Sequence, residues 1–523
     1  MNLEQRDNST VTRSTAEWQR LDAAHYLHPF TDHQALSAKG ARIITHAEGV
    51  YLHDSEGHRI LDGMSGLWCV ALGYGRQELA EAAYRQLQQL PYYNSFFQCA
   101  NPPAIELAAF LAELTPPQFK HVFFTGSGSE ANDTFVRLAR RYWALQGKPE
   151  KRVIISRWNG YHGSTMAGAS LGGMKAMHAQ GGLPIPDIVH IGQPYWFECG
   201  GDLTPEAFGL QAARELESKI LEIGPERVAA FIGEPVQGAG GVIIPPESYW
   251  PEIQRIVDRY GILFASDEVI CGFGRTGQWF GCEHYGTRPD FMTLAKAITS
   301  GYLPLGALMV GERVAEVLIR EGGEFAHGYT YSGHPAAAAL ALANLKILRE
   351  QRVVERVRDE LAPYFAACWR QLADHPLVGE ARSLGLLGAL ELVPAKPSRR
   401  FFPERGTVGT RARDLSVKNG LVMRAVWDTL IVAPPLVIEP RQIDELVSKA
   451  VQTLDELHHA LRAEGALLDF TLSGFSGGGG CAIKAAAHWG ASHRLSGRPP
   501  RNENFGPCGT CRRYRLGYVG GLW

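Results

Sequence analysis

Short apolar runs separated by helix-forming segments restrict the fold that this chain can adopt. The runs are His121–Phe124, Arg152–Ser156, Ile188–Ile191, Val228–Gly233, Ile262–Ala265 and Phe291–Leu294. They have the length of buried strands, and patterns such as Ser129–Leu145 and Tyr249–Tyr260 predict amphipathic helices between some of them. Strands that alternate with helices form a mainly parallel sheet that helices cover on both faces. The predicted fold class is therefore α/β.

The segment after these runs predicts a second, smaller unit. Helical patterns at Ala336–Glu350 and Val353–His375 lead the chain away from the sheet. Strand patterns follow near Leu384–Leu392 and Leu421–Ala425, and the helix Pro440–Glu464 closes the unit. This mixture of helices and strands predicts a small α+β domain.

These patterns divide the chain into successive regions. Residues 1–67 combine a mobile arm, up to about residue 20, with an antiparallel meander that forms part of the small domain. Residues 68–335 are predicted to form the large, ligand-binding domain, and residues 336–465 the C-terminal small domain. The tail, residues 466–523, is glycine-rich and basic without periodicity, so we expect it to be disordered or adventitious.

Charge, hydropathy and cysteine spacing exclude several classes of function. The formal net charge is −2 and the body lacks a run of lysine and arginine, so no nucleic-acid surface is expected. No run of about 18 apolar residues predicts a membrane span. The polar N-terminus lacks a signal-peptide pattern, which predicts a cytoplasmic location. Cys508 and Cys511 form a single CxxC without a second ligand pair, so no metal site is predicted.

Two residues at the ends of neighbouring apolar runs indicate a cofactor. Lys296 follows the run that starts at Phe291, and Asp267 follows Ile262–Ala265. Ligands of open α/β sheets bind at the carboxyl ends of the strands. A Schiff-base lysine and an acid beside a pyridinium nitrogen are the minimal equipment for pyridoxal phosphate. The alternatives are a solvated lysine at a strand end and an aspartate that caps a helix.

The loop from Thr125 to Asn132 predicts a phosphate site. Gly126 and Gly128 allow close approach of the backbone, and the helix that follows directs its free N–H groups at the ligand. The same spacing, ending in Ala131, also satisfies the dinucleotide fingerprint. That fingerprint expects an acid after the next strand, and none is present there. A single phosphate is therefore favoured, and a nicotinamide oxidoreductase remains the alternative.

Other strand ends and loops carry candidate pocket residues. Tyr161 and His162 lie in a glycine-flanked loop, where an aromatic ring can stack on a flat cofactor. Glu234 follows the run Val228–Gly233 and is either a pocket residue or a solvated acid. Trp68 precedes a predicted helix and is either a pocket residue or a core tryptophan.

Longer motifs around these residues resemble a known family. They are TGSGSEAND (Thr125–Asp133), NGYHGST (Asn159–Thr165), GEPVQGAGG (Gly233–Gly241), DEVICGFGRTG (Asp267–Gly277), AKAITSGYLPLGA (Ala295–Ala307) and YTYSGHP (Tyr329–Pro335). From about residue 15 to residue 465, the chain resembles the class III pyridoxal-phosphate aminotransferases. It is most similar to the amine:pyruvate (ω-) transaminases that use putrescine. The resemblance implies a fold type I transferase.

The resemblance also implies roles for the residues that hold the cofactor ring. Lys296 is expected to bond to the cofactor and then to move the proton between the substrate carbon and the cofactor. Asp267 is expected to pair with the pyridinium nitrogen. Val269 and Tyr161 are expected to pack on opposite faces of the ring. Lys296 and Asp267 are thus the predicted catalytic residues.

The remaining implied roles concern the phosphate and the substrate. Ser127 and Gly128 are expected to bind the phosphate together with Thr330 from the partner subunit of a homodimer. Trp68 and Tyr161 are expected to line the substrate pocket. Arg424 is expected to bind the carboxylate of the keto acid and to move aside for an amine without a carboxylate, a role that suits a long guanidinium side chain.

The predicted activity is a ping-pong amino-group transfer. The donor is a primary amine, a putrescine-like diamine or an ω-amino acid, and the acceptor is pyruvate or a similar keto acid. A pyridoxal-phosphate aminomutase of the same fold is the alternative within this cofactor class.

Overall fold

The computed structural model describes residues 13–396 and 399–467. The predictions for residues 1–12 and for 468–523, including Cys508 and Cys511, lie outside the described residues. The domain boundaries given above stay predictions. Among the described helices, none has both the length and the apolarity needed to cross a membrane.

Fourteen strands form the sheets of the described chain. They are β1 Ile44–Glu48, β2 Tyr51–Asp54, β3 Arg59–Leu61, β4 Phe119–Thr125, β5 Val153–Arg157, β6 Ile188–Ile191, β7 Val228–Gly233, β8 Leu263–Asp267, β9 Phe291–Leu294, β10 Gly306–Gly311, β11 Val378–Leu384, β12 Leu387–Leu392, β13 Arg424–Val426 and β14 Thr429–Val432.

The helices of the described chain surround these sheets. They are α1 Thr15–His25, α2 His33–Lys39, α3 Ser65–Trp68, α4 Gln77–Gln89, α5 Pro102–Leu114, α6 Gly128–Leu145, α7 Met166–Leu171, α8 Lys175–Gly181, α9 Trp196–Cys199, α10 Pro205–Ile223, α11 Tyr249–Tyr260, α12 Gly281–His284, α13 Glu312–Glu321, α14 Pro335–Glu350, α15 Val353–Arg356, α16 Ala362–Arg370, α17 Thr407–Lys418 and α18 Pro440–Ala463. Short 3₁₀ helices span Lys296–Thr299 and Gln371–Asp374, and a π-helical turn spans Val357–Leu361.

The central sheet has the strand order β4-β10-β9-β8-β7-β5-β6. Strands β9, β8, β7, β5 and β6 are parallel, whereas β10 is antiparallel to both β4 and β9. Two antiparallel steps restore the direction, so β4 ends at the same edge as the parallel strands. The loops after β4, β5, β7, β8 and β9 therefore meet at one edge of the sheet.

Both faces of the central sheet are buried by helices, and neighbouring residues of each strand point into two different hydrophobic cores. Ile154 and Ala230 pack with helices α6 and α13, whereas Ile155 and Phe231 pack with α10 and α11. Complete burial of each large apolar side chain stabilises the fold by roughly 1.5–3 kcal/mol. The α/β class predicted from the continuous apolar runs is confirmed.

Two smaller antiparallel sheets flank the central sheet. Strands β1, β2 and β3 form the predicted meander, and β11-β12-β14-β13 form the second sheet. Arg275, from the loop after β8, joins this second sheet to the central one. Its buried guanidinium donates to the carbonyl oxygens of Pro434 and Leu386 and, at 3.1 Å, to the hydroxyl of Ser65.

The prediction of a mobile arm up to residue 20 was wrong for its last residues, because α1 begins at Thr15. A capping box starts this helix. The Glu17 N–H donates to the Ser14 hydroxyl at 3.3 Å, and the Ser14 N–H donates to the Glu17 carboxylate at 2.8 Å. The Ser-x-x-Glu spacing was a visible signal for this start.

Three further elements differ from the prediction. The single helix predicted over Val353–His375 is interrupted at Val357–Leu361, where the missing N–H of Pro363 removes an intrahelical hydrogen bond. The strand predicted near Leu384–Leu392 is a hairpin that turns at Gly385, whose φ is +57°. Strand β10 was not predicted.

Gly306, the first residue of β10, determines how closely this strand packs against the loop after β4. An added Cβ would collide with the carbonyl oxygen of Ser127. We expect Gly306→Ala to lower the free energy of unfolding by about 1–3 kcal/mol, because one of the two backbones must move. Thermal unfolding should therefore occur at a lower temperature.

Gly181→Ala is the matched control. Gly181 lies in α8, and an added Cβ would meet only the side chain of Leu183, at 3.2 Å. This substitution should leave the unfolding temperature close to that of the unchanged protein. An equally small effect of Gly306→Ala would contradict the close packing described here.

Candidate active site

A cavity of about 360 Å³ opens at the edge of the central sheet where the strand-end loops meet. Its lining includes several residues that were predicted from the sequence: Ser127, Gly128, Tyr161, His162, Glu234, Asp267, Val269 and Lys296. The fold thus brings together loops that follow β4, β5, β7, β8 and β9. Trp68, Arg424 and Thr330 lie outside this lining.

Lys296 lies at the first position of the 3₁₀ turn after β9. Its backbone φ of +49° is unusual for a residue with a side chain and is the kind of strain found at functional sites. Burial lowers the pKa of its amine, while the nearby Cys69, Asp267 and Glu234 act in the opposite direction. A lowered pKa increases the fraction of neutral, nucleophilic amine.

Asp267 ends β8 and is held by side chains from two other segments. Its Oδ2 accepts hydrogen bonds from Asn132 Nδ2 at 2.9 Å and from His162 Nδ1 at 2.7 Å, and its Oδ1 accepts from the Val269 N–H at 3.1 Å. Asp267, His162 and Asn132 are all buried. This arrangement fixes the direction in which the carboxylate faces the cavity.

Glu234 follows β7 and is also buried rather than solvated. Its Oε1 accepts from the N–H of Tyr161 at 3.0 Å and its Oε2 from the N–H of Gly238 at 2.9 Å. Burial raises the pKa of this carboxyl group, and the nearby His162 opposes that shift. Glu234 therefore holds the Tyr161 loop in place at the cavity wall.

The predicted phosphate loop lies between β4 and α6. Ser127 is the N-cap of α6, and its hydroxyl accepts from the Glu130 N–H at 3.2 Å. A Cβ on Gly128 would lie 2.9 Å from Cγ2 of Val269, so only glycine fits there without displacing that side chain. The helix of eighteen residues directs its positive end at the cavity.

The two predicted ring walls, Val269 and Tyr161, both line the cavity. Val269 lies two residues after Asp267, and a Cβ on Gly128 would lie 2.9 Å from its Cγ2. The Tyr161 hydroxyl lies 3.1 Å from that of Ser164. The structure thus brings both walls to the cavity that also contains Lys296 and Asp267.

Trp68 and Arg424 lie together beside Lys296. The Arg424 guanidinium carbon is 5.0 Å from the centroid of the Trp68 ring, and Lys296 Nζ is 5.4 Å from the same ring. Burial lowers the pKa of Arg424 to about 9, while Tyr161 acts in the opposite direction. The substrate roles predicted for Trp68 and Arg424 stay predictions.

Thr330 is exposed and does not reach the cavity of its own chain. Its carbonyl oxygen accepts from the Tyr92 hydroxyl at 2.7 Å. Exposed aromatic side chains occur next to it in the chain and in the segment that contributes Tyr92: Tyr92, Tyr93, Phe96, Phe97 and Tyr331. A role in the site of a second subunit stays a prediction.

Two residues of this site were not identified from the sequence. Asn132 lies inside the TGSGSEAND motif, but only the fold shows that it bridges Asp267 and, through Oδ1, the Thr293 hydroxyl at 2.8 Å. Cys69 lines the same cavity as Lys296 and acts on the pKa of its amine. Its position beside Trp68 was the available signal, and an isolated cysteine gives no stronger one.

Comparison with known proteins identifies the family. The family model described as "Aminotransferase class-III" matches residues 35–454. The chain belongs to the class III aminotransferases. Its fold is that of a fold type I enzyme, and the family depends on pyridoxal phosphate, so the predicted fold, enzyme class and cofactor are confirmed. The nicotinamide alternative is thereby removed.

Two named relatives of this class III aminotransferase align with most of its length. It is 60% identical to the putrescine–pyruvate aminotransferase of Pseudomonas aeruginosa, over 87% of this chain and 100% of that protein. It is 41% identical to a diaminobutyrate–2-oxoglutarate transaminase of Halomonas elongata, over 82% of this chain and 92% of that protein.

Two solved structures are also similar to this aminotransferase. An ω-transaminase from Thermomicrobium roseum has a TM-score of 0.82 and 43% identity, over 85% of this chain and 99% of that one. The ω-transaminase of Pseudomonas jessenii in complex with PMP has a TM-score of 0.83 and 40% identity, over 85% and 99% of the two chains.

The residues that line the cavity fit pyridoxal phosphate. A buried amine, a buried carboxylate, a helix N-terminus and a glycine whose Cβ would displace Val269 are the groups that this cofactor requires. Any larger side chain at position 128 would displace Val269, which lines the same cavity.

The stability of the fold should depend on pH through Glu268, the buried residue next to Asp267. Burial raises the pKa of its carboxyl group from 4.5 to about 7, although the N–H groups of Gly281 and Cys282 donate to it at 2.7 Å. Between these pH values the folded protein holds a proton that the unfolded chain releases. This carboxyl group therefore makes the fold less stable as the pH rises through that window.

We expect Glu268→Gln to reduce the pH dependence of the unfolding temperature between pH 5 and pH 7, because the substituted amide does not titrate. The exposed Glu106→Gln should keep the slope of the unchanged protein. Identical slopes for all three proteins would show that Glu268 does not titrate in this window.

Proposed function

We propose that this class III aminotransferase moves the amino group of a primary amine to pyruvate or a similar keto acid in a ping-pong reaction. Putrescine-like diamines and ω-amino acids are the proposed donors. The observation that carries the proposal is the burial of the Lys296 amine in one cavity with the fixed carboxylate of Asp267. The identity with the Pseudomonas aeruginosa enzyme supports the choice of substrates.

Lys296 is the proposed catalytic base. Pyridoxal phosphate, when bound, supplies an aldehyde that exchanges amino groups and a ring that withdraws electrons from the substrate carbon. Lys296 Nζ, whose pKa is lowered by burial, accepts the proton from that carbon and returns it on the cofactor side. Its placement at the start of a short 3₁₀ turn keeps the amine within the cavity.

Asp267 is proposed to hold the protonated ring nitrogen. An ionised carboxylate stabilises a proton on a neighbouring nitrogen. The hydrogen bonds from His162 and Asn132 keep the carboxylate in one orientation, so this part of the site is organised before the substrate arrives.

The N-terminus of α6 is proposed to bind the phosphate through Ser127 and Gly128. Free N–H groups and the helix dipole favour an anion there. Val269 and Tyr161 are proposed to hold the two faces of the ring. Thr330 would complete the phosphate site from a second subunit, which makes the proposed assembly a homodimer with shared sites.

Arg424 and Trp68 are proposed to select the substrate. A guanidinium forms paired hydrogen bonds with a carboxylate, so Arg424 suits the keto acid. An amine without a carboxylate requires Arg424 to move aside. Trp68 and Tyr161 would then provide the apolar wall of the amine pocket. The cytoplasmic location stays a prediction.

Removal of Lys296 tests the proposed chemistry. The purified protein should absorb visible light because of the bound cofactor, and borohydride should attach the cofactor covalently to Lys296, as detected by peptide mass spectrometry. Lys296→Ala should abolish formation of alanine from pyruvate with every amine. Lys175→Ala, which changes an exposed lysine, should retain the activity.

The outcomes of this experiment separate the candidates. Alanine production by Lys296→Ala at the rate of the unchanged enzyme would overturn the role of the lysine. An isomerised amine without any alanine would favour the aminomutase. Activity with monoamines but with no diamine would remove putrescine and leave the family unchanged.

Mixed dimers test whether Thr330 serves the partner's site. Thr330→Glu should be inactive because its carboxylate repels the phosphate, and Lys296→Ala is inactive for its own reason. If the sites are shared, a dimer of one Lys296→Ala chain and one Thr330→Glu chain has one site with both native residues. Co-expression should therefore restore up to half of the activity per dimer.

Homodimers of each variant are the controls, and each should remain inactive. Mixed dimers that show no recovery would mean that Thr330 acts within its own chain, and an active Thr330→Glu homodimer would mean that Thr330 serves neither site. A monomeric active enzyme would also overturn the shared site.

A further inference from the structure

We propose that the face of the Trp68 ring binds the distal ammonium of a diamine, at the position that the Arg424 guanidinium occupies in this structure. This inference rests on the proposed function and specifies how the same pocket distinguishes a diamine from a monoamine. The Trp68 ring would then serve both half-reactions: it binds the distal ammonium in the amine half, and Arg424 returns to it when the keto acid binds.

The Trp68 ring has the guanidinium of Arg424 and the amine of Lys296 near it. Arg424 Cζ lies 5.0 Å and Lys296 Nζ 5.4 Å from the ring centroid, both inside the distance at which a cation is attracted to an indole face. Tryptophan is the best of the aromatic side chains for this interaction. Because the ring is almost completely buried, the attraction is weakly screened.

The carboxylates of the cavity are not available for a second ammonium. Among the described residues that line it, the carboxylates are Asp267 and Glu234. Asp267 is proposed to hold the ring nitrogen, and both oxygens of the Glu234 carboxylate already accept from the N–H groups of Tyr161 and Gly238. Recognition of a distal cation therefore falls to an uncharged group, and the π face of Trp68 is placed for it.

The distances suit a short diamine. Four carbons between two nitrogens span roughly 6 Å when extended, from ordinary bond lengths. The reacting nitrogen of the substrate must come to the region of Lys296 Nζ, which is 5.4 Å from the ring centroid. The second nitrogen of a four-carbon diamine can thus lie over the Trp68 face.

The turn that carries Trp68 is built to hold the ring in one orientation. Ser65, Gly66 and Trp68 have φ values of +50°, +66° and +58°, a strained sequence for two residues with side chains. The Asp62 carboxylate stabilises the turn by accepting from the N–H groups of Met64 and Gly66 at 2.9 and 2.6 Å, and from the Tyr74 hydroxyl at 2.7 Å.

Charge makes the two occupants of the ring face mutually exclusive. A guanidinium and an ammonium at the same place repel each other, and the cost is high in a site with little water. Departure of Arg424 therefore opens the cation site and removes the repulsion in one movement. A substrate with a distal carboxylate, in contrast, favours the Arg424 position seen here.

The experiment compares isosteric amines in the amine half-reaction of the cofactor-loaded enzyme. Putrescine and pentan-1-amine have the same length, but only putrescine has a distal ammonium. We expect Trp68→Leu to lower the ratio of their kcat/KM values by about 5- to 30-fold, and Trp68→Phe to lower it less. Cofactor absorbance and far-UV circular dichroism verify that each variant is folded and loaded.

Arg424→Met provides the second arm, because methionine keeps an unbranched side chain without the charge. Putrescine should react faster in this variant, because no guanidinium competes for the ring face, while 4-aminobutyrate and pyruvate should react more slowly. A faster putrescine half-reaction beside a slower pyruvate half-reaction supports the shared position.

An unchanged ratio in Trp68→Leu, with both amines slowed equally, would overturn the proposal and leave the ring a purely steric wall. Equal slowing of putrescine and pyruvate in Arg424→Met would also overturn it. Failure of the proposed function is distinguishable, because the unchanged enzyme would then produce no alanine from any amine.

Discussion

The hydrogen bonds around Asp267 hold the active site together. Asn132 from α6 and His162 from the loop after β5 both reach the Oδ2 of this carboxylate, and Asn132 also reaches Thr293 on β9. These contacts join the helix that presents the phosphate site to the strands that present the acid and the lysine. Because every member is buried, removal of one would leave a polar group unsatisfied, so the network keeps these parts in one arrangement.

The substrate side of the site depends on a different kind of constraint. Trp68 is placed by a strained turn that Asp62 supports, and Arg424 reaches the same ring from β13 of the small antiparallel sheet. The cofactor side is thus held by hydrogen bonds between rigid strand ends, whereas the substrate side combines a fixed ring with one long cationic side chain. With the roles proposed for Trp68 and Arg424, this division lets the chemistry stay constant while the pocket accommodates an amine and a keto acid in turn.

Much of the site could be predicted because parallel strands end at a common edge. Lys296, Asp267 and Glu234 each follow an apolar run, so their convergence followed from the fold class alone. Strand β10 could not be predicted in this way, since its antiparallel pairing with β4 and β9 depends on partners distant in sequence. Asn132 was missed for a similar reason, because an asparagine near the start of a helix indicates nothing about a carboxylate 135 residues away.

Local patterns were sufficient to predict the α/β class, the motifs of the family, the lysine and the acid, because strand periodicity and loop glycines are local properties. The three-dimensional arrangement was needed to show that Glu234 is buried against backbone N–H groups, that His162 and Asn132 orient Asp267, and that Lys296 and Arg424 both lie near the Trp68 ring. These facts depend on how separate segments pack, and side-chain direction at a contact is set by both partners. The residues that indicate the chemistry were therefore recognisable from local patterns, whereas the arrangement proposed to choose the substrate depends on packing.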